Sequence, residues 1–157
     1  KMTTLGVFAV TGAGVVTGLL FAFSNFVMRA LVDLPNENGM FAMQRVNETI
    51  INPIFLTFFI GTPVFCFLIA IRSVQHLDAS GSLFLLTGAI AYLIGPFGIT
   101  MLFNVPLNNK LAKAETSLAD EVWPEYQNRW QMWNHIRTYI GVSSSAMLAA
   151  ALGIGES

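Results

Sequence analysis

Four long stretches of this chain carry no Asp, Glu, Lys or Arg, and their spacing sets the first expectation. They cover residues 5–28, 49–71, 79–109 and 138–155, with 24, 23, 31 and 18 residues respectively. A helix needs about 20 apolar residues to cross the hydrocarbon core of a bilayer, so the pattern predicts four membrane-crossing helices. The first stretch is too long for a secretory leader and lacks its short positive-then-apolar profile, so it reads as a retained span. The expected fold is all-α, an integral membrane four-helix bundle that takes in residues 1–157 as a single transmembrane domain.

The connections are unequal. Residues 29–48 and 110–137 form long links, whereas 72–78 is short. Four spans put both termini and the short link on one side, with Lys1 and Arg72, and the long links on the other, with Arg29, Arg45, Lys110, Lys113, Arg129 and Arg137. The positive-inside rule then places the long links in the cytoplasm, as in a multi-pass protein of a bacterial inner membrane. Both long links are expected to hold short amphipathic helices. Met40, Met43, Asn47, Ile50 and Ile54 share one helical face, with Arg45 and Glu48 paired elsewhere on the helix. Leu107, Leu111, Ala114 and Leu118 form a second stripe, and Pro106 suits the start of its helix. Pro63 and Pro96 are expected to kink the second and third spans.

Composition narrows the function classes. The chain is 54% hydrophobic and 11% charged, against about 25% charged in soluble domains, and its mean hydropathy is +0.61. A net charge of −1 without a Lys/Arg cluster leaves no surface for nucleic acid. Cys66 is alone, which excludes an internal disulfide. The two histidines, His76 and His135, fall on opposite sides in the expected topology, so neither a closed zinc site nor bis-histidine haem ligation is expected. A single axial ligand at His135 stays open. No phosphate loop and no Ser/His/Asp arrangement is visible, and these residues call for no metal or cofactor.

Polar residues gather at one level. Ser24 and Asn25 end the first span, Asn47 and Asn52 open the second, Asn104, Asn108 and Asn109 end the third, and "WQMWNHIRT" at 130–138 opens the fourth. At about 100° per residue, Trp130, Trp133, Asn134, Arg137, Gly141, Ser144 and Ser145 fall on one arc. Gln131, His135, Tyr139, Val142 and Ala146 fall beside it. Polar groups without partners in hydrocarbon are costly, so these residues are expected to face one another or a wet cavity. The plainer alternatives are that Trp123, Tyr126 and Trp130 anchor the chain at the interface and that the asparagines cap helices. Gly14 and Gly18 form a GxxxG pair suited to close helix contact, within one bundle or between copies.

The stretches "FNVPLNNKLA" at 103–112, "WQMWNHIRT", "FAFSNFV" at 21–27 and "AMQRVNETI" at 42–50 together resemble the anthrone-oxygenase-like family of small membrane proteins. The resemblance covers nearly the whole chain. It implies a four-helix membrane bundle, and for some members the oxygenation of anthrones to anthraquinones. The residues that map onto it are Asn47, Asn104, Asn108, Trp130, Trp133, Asn134 and Arg137, with His135 beside them. On this reading a lipophilic aromatic substrate enters a polar pocket at one membrane face, His135 is the general base, and Arg137 with Asn134 or Asn104 holds an oxyanion. Trp133 stacks on the ring, and Asn47, Asn104, Asn108 and Trp130 complete the binding site. Besides this substrate, the expected partners are membrane lipid and further copies of the chain or a larger membrane complex. Two other classes stay open, a non-catalytic membrane subunit and a binder of a quinone or haem.

Overall fold

The computed structural model describes residues 2–154. Lys1, used in the charge count, and Gly155, the last residue of the fourth uncharged stretch, lie outside them. Every regular element among the described residues is helical: α1 (Met2–Ala22), α2 (Met28–Val32), α3 (Asn36–Thr49), α4 (Pro53–Gln75), α5 (Ser82–Tyr92), α6 (Val105–Ala112) and α7 (Ala119–Ile154), with a 3-10 turn at Thr116–Leu118. The π-helical segments Phe23–Val27 and Leu93–Asn104 join α1 to α2 and α5 to α6 without a break. The described residues therefore form five helical rods.

Three rods, Thr4–Val32, Pro53–Gln75 and Ser82–Ala112, are long and apolar enough to cross a membrane. The fourth uncharged stretch behaves differently. It is the C-terminal part of the 36-residue α7, a helix about 54 Å long at 1.5 Å per residue. Its hydropathy is lowered by Arg137, Thr138 and the serines at 143–145, of which Arg137, Thr138 and Ser144 are buried. In this part of α7 much of the polarity is turned inward, whereas Asp120, Glu121, Glu125 and Arg129 nearer its start are exposed. The three apolar rods expose large hydrophobics, among them Phe26, Ile60, Phe67 and Leu102, as α7 does at Met132, Tyr139 and Val142.

Packing makes α1 a neighbour of α4 and α7, and α5 a neighbour of the same two helices. One core cluster joins them through small residues, including Ala9, Ala13, Cys66, Ala89 and Ala151. A second cluster, of Phe23, Met28, Met40, Met43, Leu111, Trp123, Tyr126 and Trp130, joins α3, α6 and the start of α7. Trp123, Tyr126 and Trp130 are thus core residues and not interfacial anchors.

The glycines of α1 divide by face. A Cβ on Gly12 would lie 2.0 Å from Thr62 Oγ1 of α4, so this glycine sets the approach of the two helices. Gly14 and Gly18 meet nothing within 4 Å and point outward.

The two amphipathic stripes depart from expectation in register. Met40 and Met43 are buried and Asn47 and Ile50 half-buried, but Ile54 is 75% exposed. The face stops because α3 ends at Thr49. Asn52 is extended, its Oδ1 accepts from the Phe55 N–H, and Pro53 opens α4 in a new direction. Near Pro106 the correction runs the other way. Pro106 does stand in the first turn of α6, but α6 is no separate helix, because π backbone carries the rod from Leu93 to Asn104 and runs on into it. Pro96 lies within that π segment, whereas Pro63 lies within an uninterrupted α4.

Candidate functional site

The site grows from the buried face of α7. Arg137 is 4% exposed, and no carboxylate pairs with it among the described residues; the ion pairs there are Arg45–Glu48, Lys110–Glu125 and Arg129–Glu125. Removing a guanidinium from water without a counter-charge is costly unless hydrogen bonds hold it. Three bonds do so. Nε and Nη2 both donate to Asn134 Oδ1, at 3.0 and 2.8 Å, and Nη1 donates to Thr100 Oγ1 at 2.7 Å. Its carbon also sits 5.0 Å from the Trp130 ring centroid, a cation–π contact. Guanidinium carries five N–H donors, so donors remain with no protein acceptor among the described residues.

Asn134 is fully occupied by this task. While its Oδ1 takes both Arg137 donors, its Nδ2 donates to Leu20 O at 3.0 Å and Ser24 Oγ at 2.8 Å. Ser24 Oγ lies 3.0 Å from Thr138 Oγ1, which donates to Asn134 O. Ser24 belongs to the first π segment and Thr100 to the second. Irregular helix of this kind is frequent at functional sites, and here both π segments supply partners to Arg137 and its clamp.

A second network lies one turn and more toward the start of α7. Trp130 Nε1 and Tyr126 OH both donate to Asn108 Oδ1 at 2.9 Å, and Asn47 Nδ2 donates weakly to Tyr126 OH at 3.4 Å. Asn104 is buried, with its Nδ2 donating to Trp130 O at 3.2 Å.

Between these networks and α4 lies a cavity of about 360 Å³. Its walls are mostly apolar: Leu20 and Phe23 from α1 and the first π segment, Met43 and Ile50 from the α3 end, and Phe55 and Phe59 from α4. Its polar lining comes from Thr100, Asn108, Asn109, Arg137, Gln44, Asn47 and Glu48, with Trp130 beside them. An apolar pocket of this size with a few convergent donors suits a flat lipophilic molecule that bears an anionic or carbonyl oxygen.

The model of the anthrone oxygenase family matches residues 52–147, more than half of the chain. The chain belongs to the anthrone oxygenase family. No curated protein and no solved structure matches it. The matched span carries α4, the rod through Asn104 and Asn108, and Trp130, Trp133, Asn134, His135 and Arg137 of α7. Asn47, Glu48 and the α1 wall of the cavity lie outside it.

Within this member of the family, the expected site residues separate into three groups. Asn47, Asn108, Trp130 and Arg137 line the cavity, as does Asn109. Asn104 and Asn134 are buried behind it and hold those residues in place. His135 and Trp133 lie apart from the cavity lining. His135 is half-buried and turned about 100° around α7 from Asn134, so a base role for it lacks geometric support. Trp133 falls near the Arg137 arc, yet it stacks on Phe103 of the neighbouring rod at 3.8 Å between centroids. Asn52 is a helix cap, and Asn25 is exposed. Among the described residues, no three His, Cys, Asp or Glu side chains come together as a metal site. The sequence gives no signal for Thr100, and for Tyr126 it offers only the alternative of an interfacial anchor. Only the relative rotation of α7 and its neighbours reveals both.

Proposed function

We propose that this family member is a multi-pass membrane protein, with the three apolar rods and the C-terminal part of α7 as four spans, and that it oxygenates a lipophilic aromatic substrate of the anthrone type inside the cavity. The observation that carries the reading is the buried Arg137, paired with no carboxylate, on a mostly apolar cavity of about 360 Å³. A cation held in this way stabilises an anionic oxygen strongly, because little water competes for its donors. An anthrone becomes such an anion when its methylene carbon loses a proton and the charge passes to the carbonyl oxygen. Molecular oxygen is the oxidant. The methylene carbon loses both hydrogens and gains one oxygen atom as a new carbonyl, while the second oxygen atom leaves as water with those two hydrogens. Apolar walls hold the rings and Arg137 holds the enolate oxygen. Among the described residues Glu48 is the carboxylate on the cavity lining, and it, or water beside it, is the nearer acceptor for the methylene proton.

The test is anthrone-dependent oxygen uptake by the purified protein in detergent, with anthraquinone followed by absorbance. Arg137→Met is expected to lower the rate by about a hundredfold or more. Arg137→Lys should recover little of it, since a point charge cannot reach Asn134 and Thr100 with the same planar fork. A wild-type rate equal to spontaneous oxidation of the anthrone would overturn the reading.

A further inference from the structure

The orientation of one amide is fixed by its neighbours. An indole N–H can only donate, so the atom of the Asn108 side chain that lies 2.9 Å from Trp130 Nε1 must be the carbonyl oxygen. That same oxygen is 2.9 Å from Tyr126 OH, whose own acceptor capacity is used by Asn47 Nδ2. Two donors therefore converge on Oδ1, and rotating the amide would set N–H against N–H. Its planar geometry then leaves the NH2 group turned away from Trp130 and Tyr126. Among the described residues that NH2 has no protein acceptor, and Asn108 lines the cavity together with Arg137.

We infer that Tyr126 and Trp130 act as positioning residues that fix Asn108 as a donor, so that Asn108 and Arg137 form a two-donor seat for an anionic oxygen on a planar aromatic ligand. The inference rests on the cavity being the ligand site, as in the proposed function, but not on turnover. It assigns Tyr126 a part in ligand selection although its hydroxyl lies behind the cavity lining. It also makes the seat selective by charge. Enolates and phenolates fit, whereas an oxygen carrying a methyl group gains little from it.

A hydroxyanthraquinone whose phenolate absorbs at longer wavelength than the phenol, together with its methyl ether, separates the possibilities. With purified wild-type protein in detergent, the bound phenol is expected to ionise at lower pH than in free micelles. Asn108→Asp is the informative variant, because a carboxylate still accepts from Trp130 and Tyr126 but has no N–H to offer. It should weaken phenolate binding at least tenfold and leave the methyl ether within twofold. The double variant Tyr126→Phe/Trp130→Phe adds no charge and keeps a ring beneath Arg137. It releases the amide and should also weaken the phenolate more than the ether. The inference is overturned if the wild type leaves the ionisation unshifted, if both variants bind the phenolate as wild type does, or if ether and phenolate are lost equally. A protein that passes this test without consuming anthrone would overturn the oxygenase reading alone. One that consumes anthrone but fails the test would overturn only the two-donor seat.

Discussion

Where α1, α4, α5 and α7 meet through Ala9, Ala13, Cys66, Ala89 and Ala151, the helices approach closely and three polar side chains end on nearby carbonyls. Ser144 Oγ donates to Gly88 O, Ser82 Oγ to Ser73 O and Thr62 Oγ1 to Phe58 O. Where α3, α6, the two π segments and the middle of α7 meet, the buried apolar residues are chiefly Met, Trp and Tyr, and several polar groups bond to other side chains across helices. In the first region each of these bonds completes a local structure. In the second, the bonds fix amides and a guanidinium while leaving donors unspent beside a cavity. The difference teaches that buried polarity alone does not mark a site. What marks it is polarity held rigid by partners but not consumed by them.

The largest expected break in this comparison is at the packed end. Gly12→Leu drives a side chain into Thr62, whose Cβ and Cγ2 would also lie 3.1 and 3.2 Å from the first added carbon. Rotating the hydroxyl away cannot relieve that contact, so the variant should lose about 3 kcal/mol or fail to accumulate. Gly14→Leu/Gly18→Leu adds more bulk to the same helix but meets open space, and monomer stability should change by about 0.5 kcal/mol or less. Thermal unfolding in detergent compares the two. Size-exclusion chromatography of the second variant also reports on self-association through the outward glycine face, for which loss of an oligomer is the expected outcome.

Much of this contrast was legible in the sequence, because it depends on distances along one helix. Of the expected inward arc, Trp130, Asn134, Arg137, Gly141 and Ser144 are buried and Trp133 and Ser145 half-buried, whereas on the neighbouring arc Tyr139, Val142 and Ala146 are exposed and Gln131 and His135 half-buried. The Arg45–Glu48 pair forms as its spacing predicts. What could not be read was rotation between helices. Thr100 and Ser24 reach α7 from rods 37 and 110 residues away in sequence, and no periodicity within one helix sets that register. The π backbone was equally hidden. It shifts side-chain directions from those of α-helix, which is how Thr100 comes to accept from Arg137. The break at Asn52–Pro53 could have been read as a cap followed by a first-turn proline, and it was missed because the apolar spacing runs straight through it.

A second test sharpens the comparison with one polar deletion in each region. Asn134→Leu removes the acceptor of two Arg137 bonds and leaves a buried cation held by Thr100 and Trp130. It should lower anthrone-dependent oxygen uptake about tenfold and cost about 2 kcal/mol of stability. Ser144→Ala removes a buried bond of similar length to Gly88 O, costs about 1 kcal/mol, and should leave the rate unchanged. If the serine variant lost activity as the asparagine variant does, the two regions would not be functionally distinct.

The smallest effect is expected at a residue that sequence alone made prominent. His135 sits between Asn134 and Arg137 in the chain, and histidine is the commonest base near neutral pH. Helical geometry nevertheless turns it away from both, and it lines no part of the cavity where Arg137, Asn108 and Trp130 converge. A base must come within hydrogen-bond reach of the proton it takes, directly or through one water. Glu48 meets the positional requirement from the α3 wall, although its carboxylate is also engaged by Arg45. His135→Ala should therefore change the oxygen-uptake rate by less than about twofold, whereas Glu48→Gln should lower it about tenfold, less than the roughly hundredfold or more of a well-placed general base because water beside it can take the proton in its stead. Measuring both variants on the same preparation makes the comparison internal, because each substitution leaves Arg137 and its three bonds in place. Loss of activity in His135→Ala with normal stability would mean that α7 rotates, or that the ligand enters from the side where His135 lies, and would move the reacting carbon to the opposite face of the helix.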